Sequence, residues 1–280
     1  MAKLSEQRYG KEQVRVLKIL RDGPVHTIRE IEVSALLAGD FESSYTAGDN
    51  SKVVLTDTIR NTINALTKEH LGEEVEPFAL VLGRRFVASY EQVKRATIEI
   101  TERRWNRIGI NGQPHPHAFE AGSGARKFSR AICTADGCEV HGGIRDLVIL
   151  KSTGSGFENY PKCKYTTLPE TSDRILATSF SGTWHFAGAP ASYARANDAI
   201  LTAMIKVFAE NFSPSAQTTV FQMAEAALAA CAEISRIDLS MPNKHYIPIN
   251  LAPFGLENKN DVFLPTDEPF GVIEASVTRE

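Results

Sequence analysis

The chain has 280 residues, which is enough for one large domain or two ordinary ones. Its content of 42% hydrophobic and 23% charged residues is typical of a soluble globular protein. A net charge of -3 and a pI near 6.2 provide no electrostatic attraction to nucleic acid or to acidic membranes. No apolar run approaches the length of a membrane span. The composition therefore predicts neither a nucleic-acid partner nor a membrane partner.

The first half of the chain changes its hydrophobic period twice. Residues 14–20 and 31–37 read as two strands joined by a turn that contains "RDGP". From Val54 to Leu66 the apolar residues recur with helical spacing, and Pro77 is predicted to open a second helix. The stretch "RATIEIT", residues 95–101, then alternates as a strand does. The order is strand, strand, helix, helix, strand.

The same order returns in the second half. Residues 197–212 predict a helix, Ser213 and Pro214 are helix-start signals, and residues 235–241 predict a strand. The two halves align without a gap over about 45 residues, because pairs of matching residues share an offset of 141, as in Asp57 with Asp198 and Ile98 with Leu239. We interpret the chain as a tandem duplication of a strand–strand–helix–helix–strand–strand unit. In each α+β unit two antiparallel hairpins flank a pair of helices, which lie on one face of the sheet.

The boundary is predicted near the turn-rich residues 121–145, which gives domains of 1–135 and 136–280. A sheet of this kind has open edges and one uncovered face. We expect oligomerisation to cover these edges and this face, so a monomer is not predicted.

The sequence lacks the motifs of several common cofactor and metal sites. The glycine-rich fingerprints of dinucleotide and P-loop sites are absent, and the "GSGARK" and "STGSGFEN" stretches read as flexible loops. His115 and His117 would share one side of a strand, but further metal ligands are not evident nearby, so no metal site is predicted. The four cysteines show no CxxC pair and predict reduced thiols in a cytoplasm. The termini show neither a signal peptide nor a peroxisomal address, which favours the same location.

Polar residues stand where helices and strands begin, which is where loops present chemistry. Each of them alone is typical of a helix cap or of a solvated surface residue. The stretch "SMPNKHYIPINL" (240–251) places an amide, an amine and an imidazole in a row, in Asn243, Lys244 and His245. Lys244 should face away from its two neighbours, because adjacent strand residues point to opposite sides.

Together these stretches resemble one family, urate oxidase. The shared motifs occur in family order over residues 8–278: "RYGK", "SYTAGDN", "TDTIRNT", "PHPHAF", "LVILKSTGSGF", "YTTLPETSDRILAT", "PSAQTTVFQMAE" and "MPNKHY". The resemblance implies two tunnelling-fold (T-fold) units per chain. It also implies oxidation of urate by dioxygen to 5-hydroxyisourate with release of hydrogen peroxide in purine degradation, with no metal or organic cofactor and with dioxygen as co-substrate.

The resemblance implies roles for particular residues. Arg174 and Gln217 would grip the edge of urate, and Phe157 would stack on its ring. The backbone N–H groups of Asp57 and Ala216 would meet its remaining polar atoms. Lys11, Thr56 and His245 would form a proton relay, and Thr56 would also contact the substrate. Asn243 would hold dioxygen and later water, and Ile273 would form the apolar wall of that oxygen site.

The resemblance further implies a homotetramer whose active sites lie at subunit interfaces. Lys11, Thr56 and Asp57 would come from one chain and the other site residues from its neighbour. Position 216 departs from the family, since it is Ala where a larger aliphatic residue is usual, and a looser pocket wall is expected.

Two alternatives remain open. One is another T-fold purine or pterin enzyme, such as a cyclohydrolase, which would need a metal or a catalytic cysteine. The other is a non-catalytic purine-binding oligomer, which would bind urate without consuming oxygen. Activity that survives a chelator, together with oxygen uptake, distinguishes urate oxidase from both.

Overall fold

A computed structural model describes residues 2–122 and 124–279 and divides the chain into two compact units. Unit 1 comprises the residues up to Ile144 together with His185–Ala194. Unit 2 comprises Arg145–Trp184 and the residues from Arg195 onward. Both units combine antiparallel strands with helices, so the predicted α+β class is confirmed. The predicted division at residue 135 stays a prediction.

Unit 1 is an antiparallel sheet with helices on one face. Its elements are β1 (Tyr9–Leu20), β2 (Thr27–Gly39), α1 (Glu42–Thr46), α2 (Thr56–His70), α3 (Val75–Ser89), β3 (Val93–Arg103), β4 (Trp105–Ile110), β5 (Gln113–Ala121), β6 (Arg126–Cys133) and the start of β7 (Cys138–Lys151). The strands of its main sheet follow the order β1-β2-β3-β6-β7, and β4 pairs with β5 as a separate hairpin.

The core of unit 1 lies between the helices and the sheet. Ile59 and Ile63 of α2, Leu82 of α3, and Ile98 and Ile100 of β3 are all fully buried. The predicted alternation of β3 is therefore confirmed, as is the helical period of α2 at Ile59 and Ile63. Leu55, which was predicted to share that face, instead precedes the helix and is exposed.

The predicted opening of α3 at Pro77 is two residues late, because the helix begins at Val75. Pro77 lies within the first turn. It is accommodated there because the first N–H groups of a helix have no acceptor within the helix.

Unit 2 repeats the pattern. Its elements are the end of β7, β8 (Leu176–Phe186) as far as Trp184, α4 (Tyr193–Glu210) from Arg195, α5 (Ala216–Ala230), β9 (Ile234–Ser240), β10 (Asn243–Pro248), a short 3-10 helix (Ala252–Phe254), β11 (Phe263–Gly271) and β12 (Glu274–Thr278). The strands follow the order β7-β8-β10-β11, and β9 pairs with both β8 and β12. None of the helices in the described ranges is long and apolar enough to cross a bilayer.

The helices α3 and α5 have the same length of 15 residues. Their first residues, Val75 and Ala216, are separated by the offset of 141 that aligns the two halves of the sequence. The predicted start of α5 needs a correction, because Ser215, rather than Ser213 or Pro214, is its N-cap. Ser215 takes this position because its hydroxyl accepts a hydrogen bond from the N–H of Thr218.

The prediction of four reduced thiols is wrong for one pair, because Cys133 and Cys138 form a disulfide. The two residues end β6 and begin β7, on either side of a tight turn in which the N–H of Thr134 donates to the carbonyl of Gly137 at 2.8 Å. The hairpin brings their Cα atoms to 4.1 Å. Cys163 and Cys231 are free.

Candidate functional site

Both units carry predicted site residues. Lys11, Thr56 and Asp57 lie in unit 1. The others lie in unit 2, namely Phe157, Arg174, Ala216, Gln217, Asn243, His245 and Ile273. Each group is described within its own unit.

Lys11 lies on β1 at a point where the chain is closely constrained. It pairs with Ala35 of β2, directly before a shift of register between Lys11 and Val14, and Gln13 within that shift has a φ of 56°. The preceding residue is Gly10, and a Cβ there would lie 1.9 Å from the carbonyl oxygen of Ala35. Only glycine allows β1 to approach β2 so closely at this position. The close approach fixes the position of the neighbouring Lys11 backbone, from which the side chain projects.

Thr56 and Asp57 are the first two residues of α2, and both are exposed. The N-cap residue, Leu55, offers no side-chain hydrogen bond. The N–H groups of the first turn therefore have no acceptor within the helix, and the helix dipole favours an anion at this end. The approach to the helix is rigid, because the Tyr9 hydroxyl accepts from the N–H of Val54 at 2.7 Å.

The carboxylate of Asp57 is already used within α2. It forms an ion pair with Arg60 at 2.5 Å, and it accepts a hydrogen bond from Asn61 Nδ2 at 3.1 Å. The backbone N–H of Asp57, rather than its side chain, is the group this residue can present to a ligand.

The stretch before Phe157 forms a loop, as predicted for "STGSGFEN", and is held by backbone hydrogen bonds, while its flexibility stays a prediction. Phe157 and Thr171 exchange two backbone hydrogen bonds, of 2.7 and 3.2 Å. Ser213 is tied to the same stretch, because it accepts from the N–H of Gly156 and donates to the carbonyl of Gly154, each at 2.9 Å. Phe157 is therefore held in place next to the residues that lead into α5.

Arg174 lies over the ring of Phe157, with its guanidinium carbon 5.0 Å from the ring centroid. Its backbone N–H donates to the carbonyl of Ser155 at 2.7 Å. Its Nε is buried without a hydrogen-bond partner, and burial lowers the pKa of Arg174. A partly dehydrated guanidinium with an unused donor is suited to a planar, anionic ligand that can accept paired hydrogen bonds.

Tyr160 was not predicted as a neighbour of Phe157, yet the two rings stack with centroids 4.9 Å apart and planes inclined by 16°. The sequence offers no signal for this contact, because the separation of three residues lies in an irregular loop.

The start of α5 lies beside this loop. Ser215 caps the helix through Thr218, which leaves the N–H groups of Ala216 and Gln217 without an acceptor in the helix. Ala216 is buried, and Gln217 is exposed. The geometry presents a backbone donor and a carboxamide side by side.

β10 begins with the polar trio. Asn243 pairs with Thr178 of β8 and with Gly271 of β11. Lys244 forms an ion pair with Asp267, and the hydrogen bond from Lys244 lowers the pKa of Asp267. His245 is exposed, and its carbonyl accepts from the Thr266 hydroxyl at 3.2 Å.

Ile273 lies between β11 and β12. Its carbonyl accepts the N–H of Met241 at 2.8 Å.

Two further residues of unit 2 have buried hydroxyls without a hydrogen-bond partner, Ser155 and Thr178. Sequence reasoning missed both, because a small hydroxyl residue in a loop or strand gives no periodic signal. The unused hydroxyl becomes evident only once the surrounding atoms are placed.

The described residues contain no group of three or more His, Cys, Asp or Glu side chains arranged to hold a metal ion. His115 and His117 do lie on one strand, β5, with ring centroids 4.5 Å apart, and His26 approaches His117 at 5.9 Å.

Comparison with known proteins gives consistent matches. The family described as Uricase matches residues 7–128 and 140–274. The uricase of Arthrobacter globiformis is 38% identical over 279 residues, which cover 99% of this chain and 90% of that protein. The uricase of Aspergillus flavus is also 38% identical, over 100% of this chain and 98% of its own. The crystal structure of the Arthrobacter globiformis uricase superposes with a TM-score of 0.95 at 37% identity, covering 100% of this chain and 96% of that one.

These matches define the class of protein as an enzyme, an oxidoreductase of α+β fold. The chain belongs to the uricase family.

Proposed function

We propose that this protein is a urate oxidase that needs no metal or organic cofactor. It converts urate, dioxygen and water to 5-hydroxyisourate and hydrogen peroxide in purine degradation. The observation that carries the proposal is the geometry of Arg174, which lies 5.0 Å over Phe157 with a buried, unused Nε, in a chain of the uricase family. We further propose a cytoplasmic location. The free thiols of Cys163 and Cys231 support it, whereas the Cys133–Cys138 disulfide is uncommon in that compartment.

Urate is bound as a flat anion. The Arg174 fork and the Gln217 carboxamide hydrogen-bond its edge, and Phe157 stacks on its ring. The backbone N–H groups of Asp57 and Ala216 meet its remaining acceptors. Both N–H groups belong to helix starts that lack internal acceptors, and this supports their role.

Lys11, Thr56 and His245 move protons. Removing a proton from bound urate makes it a better electron donor, and Asn243 holds dioxygen above the ring beside the apolar Ile273. Two electrons pass from urate to dioxygen, which leaves as hydrogen peroxide with two protons. Water, activated through Thr56 and Lys11, then adds to the oxidised ring and gives 5-hydroxyisourate.

The active site lies between two copies of the chain in a homotetramer. Lys11, Thr56 and Asp57 come from one chain, and Phe157, Arg174, Ala216, Gln217, Asn243 and His245 come from its neighbour. Each chain contributes two T-fold domains, residues 1–135 and 136–280, and the assembly closes their sheets into a barrel with a tunnel.

Features of each unit support this assembly. β1 is an edge strand among the described strands of unit 1, and an open edge needs a partner. The helix-free face of that sheet carries ion pairs such as Arg15 with Glu32 and Arg130 with Glu99, as suits the wall of a water-filled tunnel. Unit 2 exposes large apolar side chains on and near β10 and β11, namely Ile247, Phe254, Leu264, Phe270 and Val272.

The activity is tested with protein treated with a strong chelator and assayed under air. We expect the ultraviolet absorbance of urate to disappear while oxygen is consumed and peroxide forms. Activity that is lost on chelation and restored by a metal would indicate a metal-dependent T-fold enzyme instead. Urate binding without oxygen uptake would indicate a non-catalytic oligomer.

The shared site is tested by mixing inactive variants. Lys11→Met and Arg174→Ala chains, refolded together, should regain roughly a quarter of native activity, because random pairing rebuilds that share of sites with both native residues. The matched control mixes Lys11→Met with Thr56→Val, which lie on the same side of the proposed site and should restore nothing. The shared site is contradicted if both mixtures regain the same activity, or if neither mixture regains any.

A further inference from the structure

Unit 2 contains a group of buried polar atoms without hydrogen-bond partners. Among its described residues these atoms are Ser155 Oγ, Arg174 Nε and Thr178 Oγ1. All three lie between residues 155 and 178, the stretch that also contains Phe157. Buried polar groups in proteins are almost always paired, so an unpaired group calls for a reason.

Thr178 is a buried polar residue that pairs with Asn243 in the sheet. It is 1% exposed, and Leu176 and Phe180, which share its face of β8, are also buried. Thr178 is the antiparallel partner of Asn243. Residues directly opposite each other in such a pair project to the same face, with Cβ atoms about 4.5–5.5 Å apart. The side chains of Thr178 and Asn243 therefore project to the same face, at a separation that a hydroxyl and a carboxamide can span.

Other buried threonines show what a structural hydroxyl does. Thr67 donates to the carbonyl of Ile63 at 2.8 Å, and Thr219 donates to the carbonyl of Ser215 at 2.9 Å. The Thr219 hydroxyl also lies 2.7 Å from Ser213 Oγ, so each of these buried hydroxyls has a partner. Thr178 lies on a strand whose carbonyls serve the sheet, and its hydroxyl has no such partner.

We propose that Thr178 is a positioning residue for the oxygen site, and this inference rests on the proposed function of Asn243. Its hydroxyl donates to Asn243 Oδ1 when the site is occupied. The carboxamide is then held in one of its two orientations, with Nδ2 directed at dioxygen and at the peroxide that leaves. Without the hydroxyl, the carboxamide can rotate by half a turn and present an acceptor to dioxygen.

The test compares Thr178→Val, which keeps the shape and removes the hydroxyl, with Thr178→Ser, which keeps the hydroxyl. Thr178→Ala is a second hydroxyl-free variant in case Thr178→Val folds poorly by circular dichroism. Thr67→Val is the matched control for placing valine at a buried threonine. Steady-state rates are measured against dioxygen concentration at saturating urate, and urate affinity is measured without oxygen.

We expect kcat/KM for dioxygen to fall roughly tenfold in Thr178→Val and Thr178→Ala, as for the loss of one hydrogen bond. Thr178→Ser should return within about twofold of the native value, while urate affinity stays unchanged in all variants. The thermal midpoint of Thr178→Val should not fall, since the free protein loses no hydrogen bond there.

An unchanged dioxygen dependence in both hydroxyl-free variants would overturn the inference. So would an equal loss in Thr67→Val, or a parallel loss of urate affinity. If native protein consumed no oxygen with urate, the proposed function itself would fail. That result is distinct from an active native enzyme whose Thr178→Val variant behaves identically.

Discussion

Arg174 and Phe157 form one preassembled element, with the guanidinium carbon 5.0 Å from the ring centroid. The two are linked through backbone as well, because Arg174 donates to the carbonyl of Ser155, two residues before Phe157. The backbone bond fixes where the two residues leave the chain. A ligand that hydrogen-bonds Arg174 therefore meets a guanidinium that is already placed next to Phe157, whose ring also stacks on Tyr160.

Replacing Arg174 by Lys should weaken urate binding by at least about a hundredfold, or about 3 kcal/mol, because an ammonium group lacks the planar fork that makes paired hydrogen bonds. Anaerobic calorimetric titration with urate measures the loss. Arg236→Lys is the control, since Arg236 is half-exposed and bonds Asp238 in the same unit. Native affinity in Arg174→Lys would contradict the clamp.

Gly10→Ala should destabilise the protein by at least about 2 kcal/mol, because the added Cβ would lie 1.9 Å from the carbonyl oxygen of Ala35 and β1 would have to separate from β2. Activity should fall with it, since Lys11 follows directly. Gly23→Ala is the control, because nothing lies within 4 Å of the added atom. Denaturant unfolding and urate turnover measure both effects, and equal results for the two variants would count against the close approach.

Thiol titration of the denatured, unreduced protein should find two reactive thiols, Cys163 and Cys231, because Cys133 and Cys138 are joined. Reduction should lower the free energy of unfolding by about 2 kcal/mol, as expected for opening so short a loop. A Cys133→Ala, Cys138→Ala double variant should lose its response to reductant, whereas Cys163→Ala should keep it. Four reactive thiols would contradict the disulfide.

The stability of the protein should depend on pH through Glu102. Burial raises the pKa of this carboxyl above 4.5, and the nearby charge of Arg29 does not fully offset it. Arg29 Nε lies 2.8 Å from Glu102 Oε1, but its N–H makes no hydrogen bond. The attraction between the two charges therefore offsets only part of the hydration free energy that both groups lose on burial.

The sign follows from linkage. Because the folded protein holds the Glu102 proton more tightly than the unfolded chain does, the free energy of unfolding should fall as pH rises from 4.5 toward the raised pKa. Glu102→Gln should remove that fall, and urea unfolding at stepped pH measures it. Glu32→Gln is the control, since the Glu32 ion pair with Arg15 is exposed. An unaltered pH profile in Glu102→Gln would contradict the assignment.

Periodic apolar residues made much of the fold predictable. Ile59 and Ile63 repeat at helical spacing and Ile98 and Ile100 alternate, and all four are fully buried. Such patterns can be read without knowing which elements pack together, because the spacing of apolar residues in a half-buried helix or strand shows which of its faces is buried. The position of Asn243 at the start of a strand was predictable on the same ground.

Pairing between distant residues was less predictable. The spacing of Cys133 and Cys138 indicates a disulfide only once they are known to flank a hairpin turn. The β4–β5 hairpin was missed as well, because its strands are short and mostly half-exposed, so neither carries a strong alternation. Ser155 and Thr178 were missed because an unused hydroxyl is a property of the surroundings and not of the residue type.

The uncapped start of α2 has a consequence for engineering. By ordinary helix rules, replacing Leu55 with Ser or Asp would tighten that end and raise the melting temperature. The new oxygen would also accept from the N–H of Asp57 or Thr58, the second and third residues of the helix. A screen for heat resistance alone would therefore select variants whose helix N-terminus is capped by a side chain. Such variants would be more stable, but they would no longer bind an anion at that end of the helix.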